Sequence, residues 1–167
     1  MMKGVVFKFG DDINTDLIIS GRYKFSITDP HELAKHVFED ADPDFYGKLR
    51  GRSFFAAAGS NFGCGSSREQ APIAVKYAGC QAVLAKSFAR IFYRNAFNLG
   101  LPLIECDTDK IKDGDIIEVD MEKGLVTNTD KGYSLSIKPF NRLQKALIEE
   151  GGIVNLYKKH KGLNIPV

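Results

Sequence analysis

The chemistry-bearing residues of this chain concentrate in one stretch, Asn61 to Pro72, which reads NFGCGSSREQAP. Among its glycines it sets a thiol (Cys64), two hydroxyls (Ser66 and Ser67), a guanidinium (Arg68) and a carboxylate (Glu69). Three chemistries suit such a loop. The first is anion binding, because a glycine-rich segment feeding a helix leaves backbone N–H groups unpaired where the helix dipole favours negative charge. A carboxylate or phosphate would suit it, but the stretch matches neither G-x-x-x-x-G-K-[ST] nor G-x-G-x-x-G, which argues against a nucleotide. The second is a Cys64 nucleophile, its thiol made acidic by the helix start. His31 and His36 belong to an earlier segment and His160 to the tail, so spacing pairs no base with it, and a lone cysteine serves equally as a small apolar residue. The third employs a serine. No His/Asp partner supports an acyl-transfer triad. An alkoxide at Ser66 or Ser67 would nevertheless be stabilised by pre-aimed N–H donors, the helix end and the Arg68 cation. It could take a proton beside a carboxylate that Arg68 grips bidentately. The structural alternative is a serine N-cap with Glu69 in the first helical turn.

The flanking elements must hold this loop. Val5 to Phe9 (VVFKF) is a short β-rich run ended by GDDINTD, a turn cluster. Asp29 as N-cap, Pro30 at the first helical position and Glu32 three residues after the cap form a capping-box pattern. They predict a helix from Pro30 to about Glu39 that buries Leu33, Ala34 and Val37. DADPDFYGKLRG is broken by Pro and Gly and reads as a loop, and SFFAAA (53–58) as a buried strand. A helix over Ala71 to Tyr77 follows, with Pro72 harmless in its first turn and Gly79 beyond its end. QAVLAKS is the next strand. Ser87 is the expected N-cap for FARIFYRNAFNL, whose Ile91, Ala96 and Leu99 share a face and which Gly100 closes, and LPLIEC is a further strand.

This β-α-β-α-β order calls for right-handed crossovers around a partly parallel sheet. The last third differs: DIIEVD, GLVTNT and YSLSI, separated by turn signals, predict short antiparallel strands, and NRLQKALIEE a final helix ending at Gly151-Gly152. No repeat or flexible linker intervenes, so residues 1–167 are expected to form a single α/β unit whose two portions share one core.

Composition excludes several function classes. A net charge of +2 from 23 basic and 21 acidic residues, evenly spread, implies neither a nucleic-acid partner nor an anionic membrane surface. KKHK (158–161) reads as a solvated tail. No run approaches the roughly 18 apolar residues of a membrane span, and GVVFKFG is too short for a signal-peptide core, so a cytoplasmic location is expected. Cys64, Cys80 and Cys106 are far apart and form no C-x-x-C, so a metal or iron–sulfur centre would need most of its ligands from another chain.

NFGCGSSREQAPIAVKYAG followed by AVLAKSFARIFYRNAFNLGLPLI resembles the small, swivelling domain of the aconitase superfamily, of the 3-isopropylmalate dehydratase and homoaconitase small-subunit type. KFGDDINTDLII is similar to the N-terminal motif of the same subunits, and the likeness runs from about Lys3 to Leu103. It implies a three-layer β/β/α swivelling fold like the fourth domain of aconitase. The activity it implies is that of a hydro-lyase shifting a hydroxyl between adjacent carbons of a 2-hydroxy di- or tricarboxylic acid. A [4Fe-4S] cluster on a large partner subunit, in a heterodimer or heterotetramer, would act as Lewis acid, with no metal held by this chain. By the same resemblance Ser66 corresponds to the catalytic base, Arg68 and Ser67 to substrate-carboxylate contacts, and Asp16 to a supporting acidic residue of the cleft. Arg90 lies in a matching motif, where packing or ion pairing is the alternative.

Members of this group select substrate with a short loop, here GRYKFS (21–26), which contributes Tyr23, Lys24 and Phe25. Homoaconitases resemble one another in placing an arginine third, to bind an extra carboxylate. Phe25 stands there instead, and desolvating an anion without a partner is costly, so an apolar substituent such as isopropyl is expected. Isopropylmalate enzymes resemble Tyr-Leu-Val at these positions, and Lys24, in the second, departs from both patterns. Its ammonium could reach an anionic substituent or snorkel to solvent. The expected function is therefore the small subunit of a 3-isopropylmalate dehydratase, a step of leucine biosynthesis. Homoaconitase and 2,3-dimethylmalate dehydratase are the alternatives, and a non-catalytic carboxylate-binding module the rival of another class.

Overall fold

The computed structural model describes residues 1–23 and 25–161, so the roles weighed for Lys24 lie outside the described residues. In chain order the elements are β1 (Met2–Lys8), α1 (Thr15–Ile18), a 3-10 turn (Gly21–Tyr23), α2 (Pro30–Ala34), α3 (Phe45–Leu49), β2 (Phe54–Ala57), α4 (Gln70–Tyr77), β3 (Cys80–Ala85), α5 (Arg90–Asn98) and β4 (Leu103–Glu105). β5 (Ile116–Asp120), β6 (Leu125–Asn128), β7 (Tyr133–Ser136), α6 (Arg142–Glu149) and α7 (Ile153–His160) complete them.

Seven strands form one sheet in the order β4-β3-β2-β1-β5-β6-β7. The first four run parallel and the last three join through antiparallel ladders, as the two sequence patterns predict. All four residues of β2 are buried, which suits a central parallel strand covered on both faces. β6 alternates half-buried and buried residues, with one face on the core. Val83 and Leu84 from the parallel half and Ile117 and Val126 from the antiparallel half belong to the same core cluster. The chain thus has the mixed α/β fold expected of it.

Four expectations change. The helix expected to reach Glu39 stops at Ala34, and residues 35–41 form successive turns. Phe38 is the cause: it takes a left-handed φ of 54° and is fully buried. Its ring packs 4.3 Å from that of Phe9 and 5.0 Å from that of Phe45. A continuous helix could not deliver that ring to the cluster, and aromatic burial prevails over helix propensity. Only half of the capping box forms, since Asp29 accepts from the amides of His31 and Glu32 whereas Glu32 turns to Lys35. Phe45 and Leu49, both buried, fold part of the broken 40–51 stretch into α3. The KKHK tail contributes to α7, which is anchored by buried Leu156.

Lys76 ties the helical layer together. Its ammonium donates to the carbonyls of Leu99 and, at 3.1 Å, Gly151, linking α4 to the end of α5 and to the α6–α7 junction. Burial pushes its pKa down.

Candidate active site

β1, β2 and β3 are parallel neighbours, so the segments that follow them leave the same edge of the sheet, where open α/β sheets place their ligands. The INTD and GCGSSR motifs remain zipped together beyond the strands. The amide of Asp12 donates to Ser60 O (2.9 Å), Gly63 to Ile13 O (2.7 Å) and Thr15 to Cys64 O (2.8 Å). Phe62 and Phe88 then bridge the loop to the start of α5. Asn61, at a φ of 61°, is held in this left-handed turn from two sides. Its side-chain amide donates to Asp12 (2.7 Å), and its backbone N–H donates to Ser87 Oγ (2.8 Å). That second bond explains why Ser87 does not cap α5: its hydroxyl serves the loop, and Ala89 occupies the cap position without a side-chain bond. Gly63 is required here, because a Cβ at its φ of 81° would collide with the Phe92 ring.

The candidate site side chains hang from this frame. Thr15, 2% exposed, donates from Oγ1 to the Ser66 carbonyl at 2.9 Å and so pins the backbone that carries the serine. Both Ser66 and Ser67 are exposed, and neither caps α4, whose cap position is Glu69 with no side-chain bond. Arg68 is mostly buried; its guanidinium pairs with Asp16 and donates to Ile19 O at 3.3 Å. A cleft of about 180 Å³ lies between these residues and the first turn of α5, with Ser66, Ser67 and Arg68 on one wall and Arg90, Ile91 and Phe92 on the other. Arg90 is exposed there and has no ion pair among the described residues, so the packing alternative does not describe it. Ile91 is 48% exposed; α5 buries Phe92, Ala96 and Phe97 in place of the expected Ile91 face.

The thiols contribute elsewhere. Cys64 is half-buried and offers its carbonyl to Thr15. Burial pushes the Cys80 thiol up to about 12 and the Cys106 thiol up to about 11, which keeps both protonated. Among the described residues no three His, Cys, Asp or Glu side chains converge as metal ligands, so these residues do not fit an iron–sulfur cluster.

The GRYKFS loop starts against Arg68: a Cβ on Gly21 would lie 3.0 Å from Arg68 Nη2. Tyr23 does not line the cleft. Its ring stacks on His36 at 4.0 Å and its hydroxyl donates to Glu39. Phe25 is 89% exposed. Two residues with evident positions in this arrangement escaped the sequence reading. Thr15 sits inside the INTD motif and was legible as a hydroxyl neighbour of Asp16, whereas Glu39 carries no local signal.

A model of the aconitase C-terminal domain matches residues 19–108, more than half of the chain. The chain belongs to the aconitase C-terminal domain family. Within that family it is 55% identical to the 3-isopropylmalate dehydratase small subunit 2 of Archaeoglobus fulgidus over 98% of its own length and 99% of that protein. It is 50% identical to the methanogen homoaconitase small subunit of Methanocaldococcus jannaschii, over 96% and 94% of the two chains. The crystal structure of 3-isopropylmalate dehydratase from Methanocaldococcus jannaschii superposes with a TM-score of 0.90 at 50% identity, covering 95% of this chain and 94% of that one. Aconitase-family membership implies an iron–sulfur enzyme. The matched span holds the GRYKFS loop, Ser66, Arg68 and Arg90, and Asp16 precedes it.

Proposed function

We propose that this chain is the small subunit of a hydro-lyase that isomerises a 2-hydroxy dicarboxylic acid by dehydration and rehydration, and that its substrate is 3-isopropylmalate. One observation carries the reading. Ser66 and Arg68 open onto one cleft, with the serine's backbone pinned by Thr15 and the guanidinium pre-aimed by Asp16 and Ile19 O. Ser66 Oγ, as alkoxide, takes the proton from the carbon beside the hydroxyl-bearing one. The C–H electron pair becomes the double bond and the hydroxyl leaves. Return of the proton and of hydroxide to the opposite carbons gives the isomer. Arg68 grips a substrate carboxylate in place of Asp16, and Arg90 faces it from α5. Ser67 and the uncapped first turn of α5 add donors along the cleft.

In this reading the whole of residues 1–167 acts as one swivelling domain in the cytoplasm. It closes on a large subunit whose [4Fe-4S] cluster supplies Lewis-acid chemistry when bound. Tyr23, Lys24 and Phe25 lie on the loop that meets the substituent, and an apolar Phe25 favours isopropyl over a carboxylate. The test is co-expression with the large subunit and turnover of isopropylmalate against homocitrate. Isopropylmalate should be preferred, and preferential use of homocitrate would overturn the Phe25 argument. Ser66→Ala should lower kcat by about 10²- to 10⁴-fold, the range for a general base, with assembly intact. Near-normal turnover would remove the serine from the mechanism.

A further inference from the structure

The turns at 35–41, which interrupt the expected helix, present a cluster that the reaction itself does not use. Glu39 Oε1 accepts from the Tyr23 hydroxyl and from Arg22 Nη2 at 2.6 Å, and Oε2 lies 2.6 Å from His36 Nδ1. Arg22 also reaches Asp40 at 2.9 Å, and its guanidinium sits 5.2 Å from the Tyr23 ring centroid. The Tyr23 ring in turn stacks on His36 at 4.0 Å. One carboxylate thus gathers the first two side chains of the GRYKFS loop and a histidine from its own segment.

The carboxylate is delivered by an uncommon backbone. Phe38, just before it, holds a φ of 54°, and its N–H donates to Ile18 O at 2.8 Å. Bulky residues at positive φ are outliers that surrounding structure must enforce, and such places cluster at functional sites. Two local backbone bonds flank the loop among the described residues: Tyr23 N–H to Ser20 O and Ile27 N–H to Tyr23 O, both at 3.2 Å. Arg22 and Tyr23 instead reach across to Glu39, while Gly21 abuts the Arg68 guanidinium. The cluster contributes little to global stability by charge alone, because the Arg22 side chain is 58% exposed. Its effect is geometric: it holds the stem of the loop at a set distance from the carboxylate clamp.

We propose that Glu39 is a positioning residue that fixes the stem of the GRYKFS loop, Gly21–Tyr23, against Arg68 through Tyr23 and Arg22, and so sets how tightly and how selectively substrate is held. This rests on reading that loop as the substrate-selecting one. Burial alone would raise the Glu39 pKa, but the hydrogen bonds from Tyr23, His36 and Arg22 more than offset it and hold the carboxyl below its ordinary range, so the hub is charged at neutral pH.

The test uses the assembled two-subunit enzyme and the full-length chain alone. Glu39→Ala should raise KM for isopropylmalate about tenfold or more, the scale of one lost hydrogen bond to a charged group, while kcat stays within about twofold. Glu39→Gln, which still accepts from Tyr23 and Arg22, should restore most of the affinity. Tyr23→Phe should raise KM as well, and the double variant should be no worse than Glu39→Ala, because both act through one contact. In the isolated chain, tryptic cleavage after Arg22 should be faster in Glu39→Ala. Unchanged KM, additive effects of the two substitutions, or a kcat loss at constant KM would overturn the proposal. If Glu39→Ala does not fold, Glu39→Gln and Tyr23→Phe carry the comparison. Absence of hydro-lyase turnover in the parent enzyme would sink the functional reading alone. The tryptic assay needs no reaction, and equal cleavage of parent and Glu39→Ala would overturn the positioning role by itself.

Discussion

Replacing Thr15 by Val tests whether the Ser66 hydroxyl depends on a buried neighbour for its aim. Thr15 is 2% exposed and Val matches its shape, so packing is conserved and one interaction is removed, the 2.9 Å bond from Oγ1 to Ser66 O. A neutral hydrogen bond of this kind is worth about 1 kcal/mol net. For a chain of 167 residues that corresponds to a Tm lower by about 2–4 °C. The loop should stay docked, because the Thr15 N–H to Cys64 O bond at 2.8 Å survives the substitution. The kinetic loss should exceed the stability loss. With Ser66 as the proposed base, a displacement of about 1 Å loses on the order of 10²-fold in rate, and freeing the Ser66 carbonyl allows displacement of that kind. The assay pairs a melting curve with kcat on the assembled enzyme, for Thr15→Val alone and combined with Ser66→Ala. Thr15→Val should cost roughly 10- to 100-fold in kcat, and nothing further once the serine is gone. If Tm falls as expected and kcat stays within about twofold, the idea that Thr15 aims Ser66 is refuted.

Asp115 provides a pH-dependent prediction. It is 8% exposed, pairs with Lys131 at 2.6 Å and accepts from the Lys112 amide at 2.9 Å. Burial by itself would raise its pKa, but the Lys131 and Lys112 bonds outweigh it and hold the carboxyl below the ordinary 3.8. A depressed folded-state pKa means stabilisation that is complete at neutral pH and lost as pH falls below that value. Asp115→Asn should therefore unfold in less urea than the parent at pH 7, by about 1–3 kcal/mol, with the gap narrowing in acid. A gap that widens in acid would contradict the sign. Lys76→Met keeps the alkyl stem but removes the donors to Leu99 O and Gly151 O. It should lower stability by about 1.5–3 kcal/mol and speed amide exchange in α7, whereas unchanged exchange there would show that α7 does not depend on this tie.

Much of the frame was legible because its signals are local. The alternation and turns of 115–137 yield three antiparallel strands, and Asn141 with Gln144 forms the capping box that opens α6. Residue types alone left the GSSRE loop open between a site and a capped helix start; the family resemblance singled out Ser66 and Arg68, and the loop's neighbours were not legible. The reading of Ser87 as a helix cap failed because the same hydroxyl could bond a local amide or the Asn61 amide, and sequence cannot choose between them. The 30–39 helix failed for a related reason, since its propensity was sound but Phe38 had a better position in an aromatic cluster built from residues distant in sequence.

By itself, then, the sequence determined the seven strands in chain order, the sheet's division into parallel and antiparallel halves, and the loop in which Ser66 and Arg68 stand. These follow from periodicity and backbone chemistry acting over a few residues. Only the tertiary structure decided that Asp16 and Thr15 meet that loop, that α5 closes the cleft with Arg90, and that Glu39 holds the stem of GRYKFS. The physical reason is that three parallel strands empty their connections at one edge of the sheet. Contacts formed there depend on strand order, which no stretch of sequence carries alone.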